Sequence, residues 1–422
     1  MPRGNFFKNV LTMATGNAAG LAAMILVTPI LTRILTPADF GVHATYVAIV
    51  SILGIVSTLS YELAIPLARD DNEAAGLLYI AILWAFIVAL FVYVVLTIQP
   101  RLDLLNFEIL YSPALLLFGI FVTGFNQSLI QVAIRTHAFD AVAKARTLHG
   151  LTTAVMNILL GFLGWGYMGL IFSSLAGWLT LNTTLVMDHR VHSLMKKMTF
   201  CDARKKIISL MGEYRKFPLL NAPANLMNRA TIQTPPLLLA SIYGADIAGH
   251  YSLIQRVLGT PLTFIGRAIA QVSLGNLGIK IRENQKASNP YKIYDFFSIL
   301  SQKLFLLSSG VFLIGIIAGI ASIYLFGNQW AMAGLIALLL SPAFAVQFAA
   351  VPLSQFLIAL KKQEYLLVAD FLALSLFSFV FVFSYMEGID SVRAISMLAA
   401  SMLISNTTLI ILSAKVAREH GR

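Results

Sequence analysis

Charge is what this sequence has least of. Only 12% of its 422 residues are Asp, Glu, Lys or Arg, against 58% apolar residues. A soluble domain carries roughly a quarter charged residues, so this composition excludes one and implies a membrane protein. Cysteine is nearly absent: the single Cys201 rules out an intrachain disulfide. No GxxxxGK[ST] loop occurs, which excludes that class of ATP-driven machine. No long external loop carries a nucleophile with a base, which argues against a membrane-bound polymerase or ligase. The reading is of a protein that is not an enzyme and uses no cofactor or metal.

What is present is a succession of apolar runs. At ~20 residues per crossing, a chain of this length holds about twelve helices with little left for a soluble domain. Spans read at 8–33, 40–66, 74–97, 112–134, 147–164 and 168–187, then 217–243, 247–277, 296–326, 333–359, 366–385 and 392–414. The net charge of +11 comes from short loops between them. That is positive-inside bias, and it argues against a nucleic-acid partner. The longest hydrophilic stretch, DHRVHSLMKKMTFCDARKKIISLMGEYRKFP, suggests three parts: a six-helix lobe at 1–187, a basic cytoplasmic linker at 188–216, and a second six-helix lobe at 217–422. Part of the linker suits an amphipathic helix lying on anionic lipid. Loop charges place both termini in the cytoplasm. The basic MPRGNFFKNV start runs straight into a full-length span, so the first helix is expected to be uncleaved.

The halves echo each other. TPILTRILTPADFGVHATY resembles TPPLLLASIYGADIAGHYS, with Pro29, Asp39 and His43 matching Pro236, Asp246 and His250. An even number of spans per half gives both the same orientation, related by a pseudo-twofold axis along the membrane normal. In the first span Gly16 and Gly20 form a small-xxx-small pair suited to close helix packing.

Two membrane helices joined by a turn at Gly244-Ala245-Asp246 carry Arg229 and Arg256 at mid-depth. A charge there costs roughly 2.5–3.5 kcal/mol on insertion scales, so each must face protein, a wet cavity or an anion. Ser252, Arg256, Thr260, Thr263, Arg267 and Gln271 recur at helical spacing, with Pro261 expected to kink the helix between them. Asn221, Asn225, Arg229 and Gln233 repeat the pattern on the preceding helix. No acid lies at matching depth, which favours an anion over a structural pair. Arg267 and Lys303 fall near the inner interface, where snorkelling and substrate contact are both open.

The chain resembles the polysaccharide flippases, the O-antigen and exopolysaccharide translocases of the multidrug/oligosaccharidyl-lipid/polysaccharide exporter superfamily. The likeness rests on TPILTRILTPADFG, YELAIPLARDDNEAA, IRTHAFDAVAKARTLHG, GWGYMGLIFSSLAGW, EYRKFPLLNAPANLMN and HYSLIQRVLGTPLTFIGRAIAQV, in that order along the chain. It implies an all-α fold of two six-helix lobes around a central cavity, working by alternating access. The implied cargo is a polyprenyl-diphosphate-linked oligosaccharide, carried to the outer leaflet of the bacterial inner membrane. Membrane lipid, a polysaccharide polymerase and other assembly proteins are the implied partners. On this reading Arg229, Arg256, Arg267 and Lys303 meet the diphosphate, since guanidinium forks match phosphate oxygens. Asn225, Asn228, Gln255, Gln271, Asn126 and Gln127 are candidates for the glycan. Unlike the most cationic members, the first two helices hold no basic residue at mid-depth.

Glu62, Asp370, His43 and His250 are candidates for coupling to protons. Glu62 and Asp370 are expected near the inner interface as ordinary solvated carboxylates. A cation- or proton-coupled multidrug exporter of the same superfamily is the alternative function.

Overall fold

The computed structural model describes residues 3–98, 112–197, 203–284 and 293–419. Cys201 lies outside the described residues. Every regular element among the described residues is helical. In order these are α1 (Arg3–Ile34), α2 (Pro37–Ser57), α3 (Asp71–Ile98), α4 (Pro113–Arg135), α5 (Phe139–Phe162), α6 (Gly166–Met187), α7 (His189–Lys196), α8 (Ala203–Glu213) and α9 (Ala222–Ile254). Then come α10 (Thr260–Asn284), α11 (Ile293–Phe326), α12 (Ala331–Leu353), α13 (Gln355–Ala359), α14 (Glu364–Glu387) and α15 (Ser391–Glu419).

Ten described runs are long and apolar enough to cross a membrane. One of them, Phe217–Gly275, is broken by the extended backbone of Gly244 (φ 84°, ψ 173°), at the turn the sequence predicts. A left-handed φ of this kind is natural only for glycine. Helix α5 is as long as its neighbours but less apolar, because Asp140, Lys144 and Arg146 lie on its first turns. Counting the broken run twice and adding α5 gives the twelve membrane helices expected.

Contacts divide the chain into two compact units, Met1–Gly249 and His250–Arg422. In the first, α5 lies between α1 and α6. Gly16 and Gly20 let α1 reach the α5 backbone: a Cβ on Gly20 would sit 2.7 Å from the Arg146 carbonyl oxygen, and one on Gly150 would sit 2.3 Å from the Gly20 Cα. The small-xxx-small pair is therefore a packing device, as expected. Helix α2 starts on a capping box in which Thr36 and Asp39 exchange hydrogen bonds, with Pro37 behind the cap. Asp39 accepts a further bond from the Tyr167 N–H at 2.8 Å, which ties the start of α2 to the start of α6. Gly41 and Gly249 each abut backbone, so α2 and the far arm of α9 meet without side chains between them.

The opposite end of this unit is a rim of ion pairs. Arg190 donates to Asp140 at 2.6 Å and to Asp188 at 2.9 Å, and Lys197 donates to Asp71 at 2.6 Å. Arg190 holds the Asp188 carboxyl below its usual range. The linker helices α7 and α8 bury Val191, Leu194 and Leu210 in one core with α3, α4 and α5. Their apolar side thus faces protein, where the sequence pattern suits a lipid surface equally well.

Two predicted spans are corrected. The second, read at 40–66, ends as an α-helix at Ser57, and Leu59 and Ser60 take left-handed φ values of 50° and 59° before a 3-10 turn at Tyr61–Leu67. Apolar runs do not reveal a break made by two non-glycine left-handed residues. The fifth, read at 147–164, starts earlier at Phe139, and its first turns carry Asp140, exposed in the ion-pair rim, Lys144, exposed, and Arg146, half-buried.

In the second unit α12 is the most enclosed membrane helix. It packs on α11, where Cβ atoms on Gly315, Gly319 and Gly334 would strike Ser341, Leu338 and Ser322. Its other neighbours are α10 and α15, and α15 packs in turn on α14. Trp330, fully buried, closes the start of α12.

Candidate functional site

Both arginine-bearing membrane helices begin beside a distortion. Helix α9 follows a π-turn at Phe217–Asn221 that contains Pro218, and α10 follows a π-turn at Gln255–Gly259. Pro261 has no N–H to offer the preceding turn, and the Thr260 hydroxyl compensates by donating to the Gln255 carbonyl at 2.9 Å. The helix is distorted into a π-turn on the N-terminal side of Pro261. Arg256 sits inside this π-turn and is half-buried. Such wide turns recur at functional sites because they aim a side chain that a regular helix would bury elsewhere. The extra residue also shifts register: Ser252 and Arg256 lie on one face, while Thr263, Arg267 and Gln271 continue from an offset one. The single stripe predicted from 100° spacing is therefore divided, a correction that no count of identical steps could supply.

Within the first unit, Arg229 is half-buried on α9. One turn before it, Asn225 donates to the Ser60 hydroxyl at 3.3 Å. That contact brings α9 to the left-handed turn at the end of α2, beside Glu62. Contrary to the solvated carboxylate expected, Glu62 is only 2% exposed. The helix break folds its side chain inward, where an unbroken span would have carried it to the interface. Burial pushes its carboxyl above the usual range, with the Thr58 hydroxyl and its own backbone N–H acting the other way. The oxygen Oε2 has no hydrogen-bond partner among the described residues.

The remaining predicted residues divide clearly. Gln127 donates to the Gly54 carbonyl at 3.2 Å, joining α4 to α2, and Asn126 is half-buried beside it. Asn228 is exposed. In the second unit Gln255 donates to the Tyr251 hydroxyl at 2.7 Å, and Arg267, Gln271 and Lys303 are exposed. Asp370 is half-buried on α14. The two histidines at matching positions of the repeat differ in surroundings: His43 shares a hydrogen bond of 2.8 Å with the Ser174 hydroxyl, and His250 meets Trp330 edge-on at 5.4 Å.

One polar line escaped the sequence reading. Arg146, His149, Thr153 and Asn157 recur on α5 at steps of three, four and four, which places them on one face. All are half-buried or buried. The spacing was visible in the sequence, but a span begun at 147 left Arg146 in a loop. Among the described residues no group of three or more His, Cys, Asp or Glu could hold a metal ion.

Comparison with known proteins agrees with this architecture. Among solved structures, the lipid II flippase MurJ in an inward closed conformation superposes with a TM-score of 0.69 at 12% identity, over 96% of this chain and 87% of that one. An inward-facing multidrug resistance MATE family transporter of the MOP superfamily gives 0.63 at 13% identity, over 97% and 96%. A MOP superfamily transporter from Pyrococcus furiosus, described as having a binding pocket of reverse polarity, gives 0.63 at 14% identity, over 98% and 96%. At these identities the likeness is one of fold. A search of curated proteins finds no match to the sequence. The family model described as "Polysaccharide biosynthesis protein" matches residues 30–335. The chain belongs to that polysaccharide biosynthesis family, and its fold is that of the MOP superfamily transporters.

Proposed function

We propose that this protein flips a polyprenyl-diphosphate-linked oligosaccharide from the inner to the outer leaflet of the bacterial inner membrane, supplying a surface polysaccharide such as an O-antigen or exopolysaccharide. The observation that carries this reading is Arg256, an arginine half-buried in a π-turn of a membrane helix, in a chain of the polysaccharide biosynthesis family. A diphosphate brings about two negative charges and several acceptor oxygens, and the guanidinium fork binds such oxygens in pairs. Arg229, half-buried on α9, offers the same chemistry within the first unit, and Arg267 and Lys303, both exposed, are suited to meeting the headgroup as it arrives from the inner leaflet. Asn225, Asn228, Gln255, Gln271, Asn126 and Gln127 offer amides to sugar hydroxyls. The released product is a lipid-linked glycan on the outer leaflet, the material a polymerase or ligase there consumes.

Arg256→Ala and Arg229→Ala are each expected to reduce surface polysaccharide in a complemented deletion strain while membrane expression is kept. Losing one charge-assisted contact removes roughly 1.5–3 kcal/mol, about 10- to 100-fold in affinity. Lysine at either position should restore only part, because the charge returns without the fork. Full activity of both alanine variants would remove the diphosphate assignment.

A cation- or proton-coupled multidrug exporter is the second reading, favoured by one observation: Glu62 is a buried acid in the first unit. Deleting the gene separates the two. A lipid-linked glycan accumulating on the inner leaflet supports flipping, whereas normal polysaccharide with altered drug tolerance supports export.

A further inference from the structure

We propose that the turn joining α5 to α6, at 162–166, is a membrane anchor that lies in the lipid interface and holds the start of α2 there. On the flipping function proposed above, that interface belongs to the outer leaflet.

From Gly150 to Met187 the chain holds no Asp, Glu, Lys, Arg or His, so the hairpin of α5 and α6 is uncharged through its turn. Leu151, Val155, Leu159 and Phe162 are exposed and follow at steps of four, four and three, which puts them on one face of α5. Arg146, His149, Thr153 and Asn157 occupy the opposite face, so the exposed apolar side looks away from the polar one, toward lipid. Phe172, Leu179 and Met187 give α6 a similar face. The stripe does not stop where α5 stops: Phe162 is 69% exposed, Leu163 68% and Trp165 50%. The lipid-facing band therefore runs off the helix onto the turn. The other end of the same hairpin differs in kind, since Asp140, Asp188 and Arg190 form its ion-pair rim.

The backbone of the turn suits the same place. N–H groups without partners are costly next to lipid. Here Leu163, Gly164 and Trp165 donate theirs to the carbonyls of Leu159, Gly161 and Leu160 at 3.0–3.1 Å. Gly164, at φ 75°, is the left-handed residue that closes α5 in this way. The indole of Trp165 rests edge-on against Phe172 at 5.8 Å, which fixes the ring and leaves half of it open. Tryptophan joins an apolar ring to an N–H donor, the combination that concentrates it at membrane–water boundaries. A turn built to stand in water would present polar side chains instead.

Asp39 passes this position on to α2. Its Oδ2 accepts from the Thr36 N–H at 2.9 Å and the Thr36 hydroxyl at 2.7 Å, while Oδ1 accepts from the Tyr167 N–H at 2.8 Å in the first turn of α6. A Cβ on Gly166 would stand 2.8 Å from that Oδ1, so the glycine is what lets the turn come so close. Farther in, His43 and the Ser174 hydroxyl tie the same two helices again at 2.8 Å. The start of α2 is thus fixed to a turn that the bilayer itself holds in place.

The test uses the full chain in nanodiscs and takes the fluorescence lost in Trp165→Phe as the signal of Trp165. The quenchers are phospholipid brominated near the headgroup, phospholipid brominated near the chain end, and iodide in the buffer. Headgroup-side bromines are expected to quench that signal most and iodide least. Strongest quenching by iodide puts the turn in water, and strongest quenching by chain-end bromines puts it in the hydrocarbon core; either overturns the proposal. Quenching by none of the three puts the turn under another protein and overturns it equally. Should Trp165→Phe fail to fold, Leu163→Cys in a Cys201→Ser background carries a spin label. Its relaxation should respond more to dissolved oxygen than to an aqueous nickel chelate, and the reverse order overturns the anchor. The link to α2 is read from a label at Ala38→Cys, which Asp39→Asn should make more mobile; an unchanged spectrum removes the link. None of these readouts involves the cargo, so the anchor and the flipping function fail or stand separately.

Discussion

The most informative single side chain is Glu62, because its surroundings and its chemistry disagree. It sits between the spans Pro37–Ser57 and Asp71–Ile98, follows two left-handed residues, and is nearly inaccessible. Left-handed conformations at Leu59 and Ser60 cost of order 1–3 kcal/mol each, and they persist only where the surroundings fix them. The carboxyl is raised above its usual 4.5 by burial. An acid whose folded value is raised binds its proton more tightly in the fold than in the unfolded chain. Its contribution to stability is therefore fully present below pH 4.5 and is lost as pH rises through the folded value. Glu62→Gln keeps the shape and removes the titration. The expected outcome is a melting temperature higher than wild type at pH 8 and equal to it at pH 4.5, with the difference opening between those limits. A variant that tracks wild type at every pH would show that the carboxyl is ionised without penalty in the fold. If Glu62 also couples a proton to transport, the same variant loses the pH dependence of flux.

At the scale of elements, glycines let α1 pack closely against α5, the first unit's charged helix. Gly150 and Gly20 face each other so tightly that a Cβ on Gly150 would stand 2.5 Å from the Gly20 carbonyl oxygen. Backbone cannot yield as a flexible side chain does, so Gly150→Ala must part the helices. Overpacking of this kind typically costs about 1–3 kcal/mol, and thermal unfolding in detergent should show a lowered melting temperature. Gly164→Ala is the contrast: nothing lies within reach of its Cβ, and the strain of its φ of 75° is the whole penalty there. The sequence carried the Gly16–Gly20 pair, the Gly244 turn and the repeat plainly, because glycine and proline mark local geometries that few other residues favour. It hid the π-turn at Gln255–Gly259 and the break after Ser57, since a wide turn and a left-handed leucine use ordinary residues. Arg146 was hidden for a different reason. Hydropathy penalises a charge wherever it points, and α5 could be seen to continue through Asp140, Lys144 and Arg146 only once α1 and α6 were placed against it.

For the whole molecule, the distribution of charge bears on what drives transport. On the proposed flipping function, the charge of the cargo lets the membrane potential supply the energy of the cycle. Half-buried arginines on the long helical runs occur in both units, Arg229 and Arg146 in the first and Arg256 in the second. A cargo with a diphosphate carries about two negative charges, and moving them outward against an inside-negative field gains roughly 4–5 kcal/mol per 100 mV. Once the cargo leaves, the empty site is cationic, and the same field draws its charge inward and favours the return. Over a full cycle the protein's own cations go out and come back, so the net charge moved is that of the cargo and the potential drives the cycle as a whole. Proteoliposomes with an imposed potassium diffusion potential test this directly. With the compartment of cargo uptake made negative, flipping of a polyprenyl-diphosphate glycan should accelerate, and with the polarity reversed it should slow. Arg256→Ala should flatten the voltage response as well as lower the rate, because it removes a charge that travels with the protein. A rate indifferent to voltage, in vesicles where flipping is otherwise robust, would hand the driving role to an ion gradient and point back to Glu62 as the group that reads it.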